Sequence, residues 1–318
     1  MTTGEKTAAL AQWAFFTSLV IVVGLGGIYL PPLYFIAAVL LPLPVMMLVL
    51  RLDLRYAALG LLVGALFLGI LINSHLEADL FVLKFGLLGV CYGLLFKNRV
   101  APGKSLAAGI LCSVALTLIF AAGFYFLTGN NPFVLGEEGL QAAEQWLAAN
   151  QSAGLFNDLP AEWQSSFGES VVATFELLLP GQYVVTAAIE AACAFLLAVA
   201  WLRRVNYFTS APPAFTALSL PWYSVWGLIT GLALTLGGDL FSWTLAAKTG
   251  KNILFVLFYL YLILGLSVFI YFFRKVNLAK PIKISILILA VVYLPFSLMI
   301  ILLLGVVDPL VNLRRLKP

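Results

Sequence analysis

The sequence predicts an all-α, polytopic integral membrane bundle, and three observations carry that expectation. Apolar residues make up 63% of the 318 and charged residues only 10%, where a water-soluble domain carries roughly a quarter charged. Mean hydropathy is +1.05. Apolar runs long enough to cross a hydrocarbon core of roughly 30 Å as a helix recur along the whole chain. Lipid leaves helices or closed barrels as the only spanning structures, and these runs are too continuous for a barrel's alternating strands.

Taken in order, the candidate spans fall at about 10–30, 33–50, 56–73, 81–96, 106–128, 177–202, 221–238, 253–273 and 284–306. The first follows Lys6 but runs into Pro31-Pro32 with no small-x-small cleavage site, so it reads as a retained helix rather than a secretory signal. Gly24, Gly26 and Gly27 before Pro31-Pro32, with Pro42 and Pro44 in the second span, mark either a broken helix lining a site or a tight outer hairpin. The division expected is a six-helix core over 1–204, carrying an extracytoplasmic segment at about 129–176, and C-terminal helices over 205–318 ending in a short basic tail.

Orientation follows from Lys and Arg, which concentrate in short cytoplasmic loops. Arg51 and Arg55, then Lys97, Arg99 and Lys104, then Arg203 and Arg204, then Arg274, Lys275, Lys280 and Lys283 mark every second loop. That places the N-terminus in the cytoplasm and the protein in a bacterial cytoplasmic membrane. The intervening loops hold His75, Glu77 and Asp79, and then Glu137, Glu138, Glu144, Asp158, Glu162, Glu169 and Glu176 without a Lys or Arg between Gly129 and Glu176. Nine full crossings would put Arg314, Arg315 and Lys317 outside. Pro295, in the middle of the last run, offers the remedy of a kinked or re-entrant helix that brings the tail back, leaving eight or nine spans.

The acidic outer segment patterns as two interfacial amphipathic helices. Leu140, Ala143 and Leu147 recur at helical spacing beside Trp146, with Glu137, Glu138 and Glu144 on the other face. A second helix starts at Asp158, with Pro160 and Glu162 in its first turn and Trp163, Phe167, Val171 and Phe175 four apart.

The inventory argues against most catalytic classes. The single histidine, His75, excludes paired-histidine zinc chemistry and disfavours a Ser-His dyad. Phosphate-cradling glycine motifs are absent, and Cys91, Cys112 and Cys193 all fall within spans, away from disulfide or metal use. A metal at His75, Glu77 and Asp79 is disfavoured because such loop residues are usually solvated and lack fixed support. The formal charge of +4 belongs to the basic loops, which meet anionic lipid and give no argument for nucleic acid. No cofactor is expected.

Ionisable residues inside spans therefore carry the functional signal. Glu190 lies near the middle of the sixth span and Lys84 in the outer part of the fourth; a ligand or coupling-ion site would include Glu190 with Lys84 as counter-charge, and Gln182 and Tyr183 complete the candidate set. The bland alternatives are a structural hydrogen bond for Glu190 and snorkelling for Lys84. Small residues at helix-packing spacing, Gly60 and Gly64, Gly89 and Gly93, Ala187 and Ala191, Ala194 and Ala198, and Gly227 and Gly231, mark close helix contacts or partner-docking faces.

The run LGGIYLPPLYFIAAVLLPLPVMMLVLRLDLRYAALGLLVGALFLG from Leu25 to Gly69, the Phe96-Lys97-Asn98-Arg99 step, the Leu202-Arg203-Arg204 end of span six, and the closing Gly305, Asp308, Asn312, Arg314 and Arg315 resemble the YybS-like membrane proteins. The resemblance covers nearly the whole chain and brings no reaction with it. The first six spans are in turn similar to the substrate-binding S components of energy-coupling-factor transporters, with Arg55-Tyr56 as the cytoplasmic step before a glycine-rich third helix. The chain departs from that pattern in its extra spans after Arg204, its long outer segment, and a first helix offering only Ala14 and Ser18 as a coupling face. The resulting expectation is a transport-type protein that binds a small molecule or lipid-derived ligand in the bundle. The alternatives are a scaffold for partner membrane proteins and, behind it, an enzyme acting on lipid.

Overall fold

In the computed structural model, residues 3–72, 75–152, 161–207, 212, 214–277 and 279–316 are described, and among them the regular structure is entirely helical. Eight helices among the described residues are long and apolar enough to cross a membrane. The chain divides into two compact units, 1–130 with 186–213 and 131–185 with 214–318. This division differs from a boundary at 204: the outer segment groups with the C-terminal helices.

The first unit contains α1 (Thr3–Tyr29), a 3-10 turn at Pro31–Leu33, α2 (Tyr34–Leu40), α3 (Pro42–Arg51), α4 (Leu54–Leu71), α5 (His75–Lys97), α6 (Pro102–Thr128) and the later part of α8 (Ala161–Arg204). α1 runs unbroken through Gly24, Gly26 and Gly27, so this stretch is the first arm of a hairpin and not a broken helix; Gly27 packs on Ala37 across the turn. Proline at helix starts explains the segmentation that follows. Pro31, Pro42 and Pro102 each occupy a first turn, where the missing N–H costs nothing.

Helices approach closely because glycines face their neighbours. A Cβ on Gly89 would stand 2.5 Å from the Pro42 carbonyl, and one on Gly93 would stand 2.6 Å from Val49 Cβ, so α5 lies directly on α3. Gly60 meets Leu48 and Thr17, and Gly64 meets Val20. α6 buries Ser105, Gly109, Ser113, Thr117 and Ala121, one every four residues, and Ser113 Oγ donates to the Ala187 carbonyl of α8 at 3.0 Å. α6 then stops at Gly129, whose φ of 72° is the left-handed cap that glycine adopts without strain.

The second unit holds α7 (Glu137–Ser152), the earlier part of α8, α9 (Val225–Leu240), α10 (Thr244–Lys275), α11 (Lys280–Val292) and α12 (Leu294–Val311). α7 matches the first of the two expected amphipathic helices. The second does not stand alone. From Ala161 it continues as one 44-residue helix into the sixth span, through Pro180; Asp158 and Pro160 lie outside the described residues, as do the side chains of Glu162, Trp163 and Phe167. α9 and α10 form an antiparallel hairpin in which Gly238 abuts Ala247, Gly231 abuts Leu254 and Gly227 faces Leu257. Trp226 and Trp243, both exposed, stand near the two ends of the 16-residue α9.

The last apolar run is two helices. The ladder breaks at Tyr293 (φ −103°, ψ 45°), and Pro295 sits in the first turn of α12. Gly265 of α10 meets the Ile301 carbonyl while Gly305 of α12 meets the Tyr261 carbonyl. Further along both chains, Arg314 reaches Ser267. α10 and α12 thus run in the same direction, and the tail ends at the same end of the unit as Arg274 and Lys275.

Candidate functional site

Lys84 and Glu190 come together. Lys84 Nζ stands 3.3 Å from Glu190 Oε2, with side-chain exposures of 15% and 1%. The ammonium also lies 4.5 Å from the Phe85 ring centroid, and that ring is buried and packed edge-on to Phe81. Lys84 does not snorkel; it turns its charge inward. Local structure explains why. Gly86 faces Leu61, Gly89 and Gly93 face α3, and Tyr92 Oη donates to the Ala191 carbonyl at 2.7 Å, fixing α5 against α8 one residue past Glu190.

The pair sits deep. By helical rise, Lys84 and Glu190 each stand roughly 20 Å along their helices from Lys97 and Arg203, two-thirds of the way through a core of about 30 Å. An ion pair at that depth holds a formal charge of each sign where removal from water costs several kcal/mol per ion. Chemically, it sets an accepting carboxylate beside a donating ammonium inside the bundle.

Gln182 and Tyr183 belong to the other unit. Gln182 is exposed, and Tyr183 sets its ring edge-on to Phe133 at 5.7 Å, beside Glu176, whose Oε1 accepts from the Leu135 N–H. Tyr183 and Glu176 thereby tie the start of the outer segment to α8. Asp79 has a buried carboxylate oxygen with no hydrogen-bond partner, while the side chains of His75 and Glu77 are outside the described set. Among the described residues, no three His, Cys, Asp or Glu side chains gather as metal ligands. Every small residue singled out for packing meets a neighbour: Ala187 and Ala191 are wholly buried, and Gly60, Gly64, Gly89, Gly93, Gly227 and Gly231 each lie within contact of a facing side chain or carbonyl.

Two polar constellations in the second unit were not expected as sites, although Asp308 and Arg314 are among the residues that carry the family resemblance. Arg314 is fully buried, and its guanidinium donates to Asp308 Oδ1 and Oδ2, Ser267 Oγ, and the Thr216 and Leu218 carbonyls. Ser267 Oγ in turn donates to the Phe215 carbonyl. Asn252 bridges a gap in α8: its Oδ1 accepts from the Gly181 N–H at 2.6 Å and its Nδ2 donates to the Leu177 carbonyl at 2.8 Å, beside Pro180.

A family model described as "Predicted membrane protein (DUF2232)" matches residues 18–309. The chain belongs to the DUF2232 family. Among curated proteins, the uncharacterized protein YybS of Bacillus subtilis (strain 168) is 25% identical over 98% of this chain and 99% of that protein. No solved structure matches. The match begins within α1 and ends at Pro309, one residue past Asp308. The family description names a membrane protein and carries no enzymatic activity.

Proposed function

We propose that this DUF2232 protein is a transport-type membrane protein of the bacterial cytoplasmic membrane, with the Lys84–Glu190 pair at the heart of a site for a small molecule or lipid-derived ligand. The observation that carries the reading is the 3.3 Å ion pair with Glu190 only 1% exposed. Buried ion pairs are poor sources of stability compared with apolar packing. A pair of this kind at membrane depth therefore points to a task that needs exchangeable charge. The N-terminus is assigned to the cytoplasm, because Arg51, Lys97, Arg203 with Arg204, and Arg274 with Lys275 close α3, α5, α8 and α10. The parallel course of α10 and α12 supports the same side for the basic tail, removing the conflict that nine simple crossings create.

A scaffold for partner membrane proteins is the second reading, favoured by the tight cover over Glu190. Native mass spectrometry of the gently solubilised protein beside Glu190→Gln separates the two. A small molecule or lipid retained by the native protein and lost from the variant supports the transport-type reading. Partner proteins bound equally to both forms, with no ligand, support the scaffold.

A further inference from the structure

Charge is sorted along the second unit. Asn252, early in α10, bonds Leu177 and Gly181, so the turn of α8 next to Glu176 meets α10 at the end far from Lys275, on the order of 35 Å away by helical rise. At the opposite end lie Arg274, Lys275, Lys280 and Arg315, all exposed, with Lys283 half-buried. Lys283 Nζ lies 5.5 Å from the Phe273 ring centroid and Lys275 Nζ 5.8 Å from that of Tyr271, so the first turn of α11 folds back on the last turns of α10. The Arg314 clamp brings the tail, and Arg315 with it, to the same end.

Among the described residues of this unit, no acid pairs with this cluster. From Asn252 to the C-terminus, Asp308 is the sole Asp or Glu, and its carboxylate is consumed by the buried Arg314. The earlier Asp239 pairs with Lys251 on the turn side of the α9–α10 hairpin. The cations at the α10–α11–tail corner therefore stand at the ends of apolar helices without a described acid of this unit beside them, Lys275 and Lys283 over aromatic rings. Ammonium and guanidinium groups in that setting meet phosphate oxygens.

We propose that this corner, Arg274, Lys275, Lys280, Lys283 and Arg315, is a docking site for the headgroup of an anionic phospholipid, selective over zwitterionic lipid. The Arg314–Asp308 pair serves it indirectly, by neutralising the one acid nearby and holding the tail in place. The site is independent of the Lys84–Glu190 pair.

The test is native mass spectrometry of the full chain released from nanodiscs containing equal phosphatidylglycerol and phosphatidylcholine. The comparison set is Lys275→Gln/Lys280→Gln/Lys283→Gln, the same three positions changed to Arg, and Lys248→Gln/Lys251→Gln at the other end. Each basic residue near an anionic surface contributes about a fivefold factor in binding, so three neutralisations lower retained phosphatidylglycerol on the order of 100-fold. The Arg variant and the far-end variant retain it. Should the Gln variant fail to insert, the native protein alone decides: retention of phosphatidylglycerol falls steeply between low and high salt. Equal retention of both lipids, salt-independent retention, equal loss on far-end neutralisation, or displacement by millimolar inorganic phosphate alone overturns the proposal.

Discussion

Asn252→Leu tests the joint in α8. The substitution removes the group that accepts from the Gly181 N–H and donates to the Leu177 carbonyl. Both backbone groups are then left without a partner in a medium that supplies no water. A buried unsatisfied polar group costs about 1–3 kcal/mol, and hydrogen bonds measured inside membranes fall toward the low end of that range. Two orphaned groups give an expected loss of about 2–4 kcal/mol. Pro180 supplies the control. With Pro180→Ala, the ring no longer crowds the preceding turn and α8 can close its own ladder, so Asn252→Leu in that background is expected to cost less than about 1 kcal/mol. The assay is equilibrium unfolding in mixed micelles, read as a double-mutant cycle. Equal costs of Asn252→Leu in the two backgrounds would refute the claim that Asn252 bridges a break made by proline.

Further expectations rest on other contacts. Gly305→Ala drives a methyl into the Tyr261 carbonyl, whereas Gly26, with open space around it, accepts alanine. The first is expected to lower stability by about 1–3 kcal/mol as overpacking, and the second to leave it unchanged or raise it by up to about 1 kcal/mol through helix propensity; heat-induced loss of the folded peak in size-exclusion chromatography ranks them. Arg314→Met strands Asp308, which is 5% exposed, and is expected to cost about 3–5 kcal/mol, with most of it regained in Arg314→Met/Asp308→Leu. At the exposed α3–α4 corner, the hydrogen bond from Lys97, followed by its charge, holds the Asp53 carboxyl below its ordinary value. A depressed carboxyl contributes stability above its unfolded value of about 3.9 and loses that contribution as pH falls through the folded value. Carbon-13 titration of Asp53 should therefore move upward in Lys97→Gln; an unchanged titration would contradict the pairing.

Much of the fold was legible because lipid leaves so few options. Hydropathy located α1, α4, α5, α6 and α10, and Gly89 and Gly93 announced close packing by spacing alone. Lys84 and Glu190 stood out for a related reason: a charge in an apolar run is costly enough to need an explanation. Arg314 gave no such signal. It sits beside Arg315 and Lys317 in a tail whose composition reads as solvated, and only the three-dimensional return of α12 buries it. Asn252 was hidden similarly, since Lys248 and Lys251 make its neighbourhood look like a helix end in water. The second amphipathic helix and the sixth span, expected as separate elements, are one helix, because an amide from another helix lets α8 pass through Pro180. The break at Tyr293 was foreshadowed by Pro295, but the parallel packing that follows depends on Gly265 and Gly305, forty residues apart in sequence, and long-range pairings of that kind leave no local pattern.

The decisive comparison sets the native protein beside Lys84→Met/Glu190→Leu, measuring melting temperature and retained small molecule in the same sample. Replacing a buried ion pair with apolar residues of similar volume leaves stability roughly unchanged, so the double variant should melt with the native protein while losing the ligand the native protein carries. A variant that melts normally and keeps that ligand would reduce the pair to a structural contact and contradict a transport site at Lys84–Glu190.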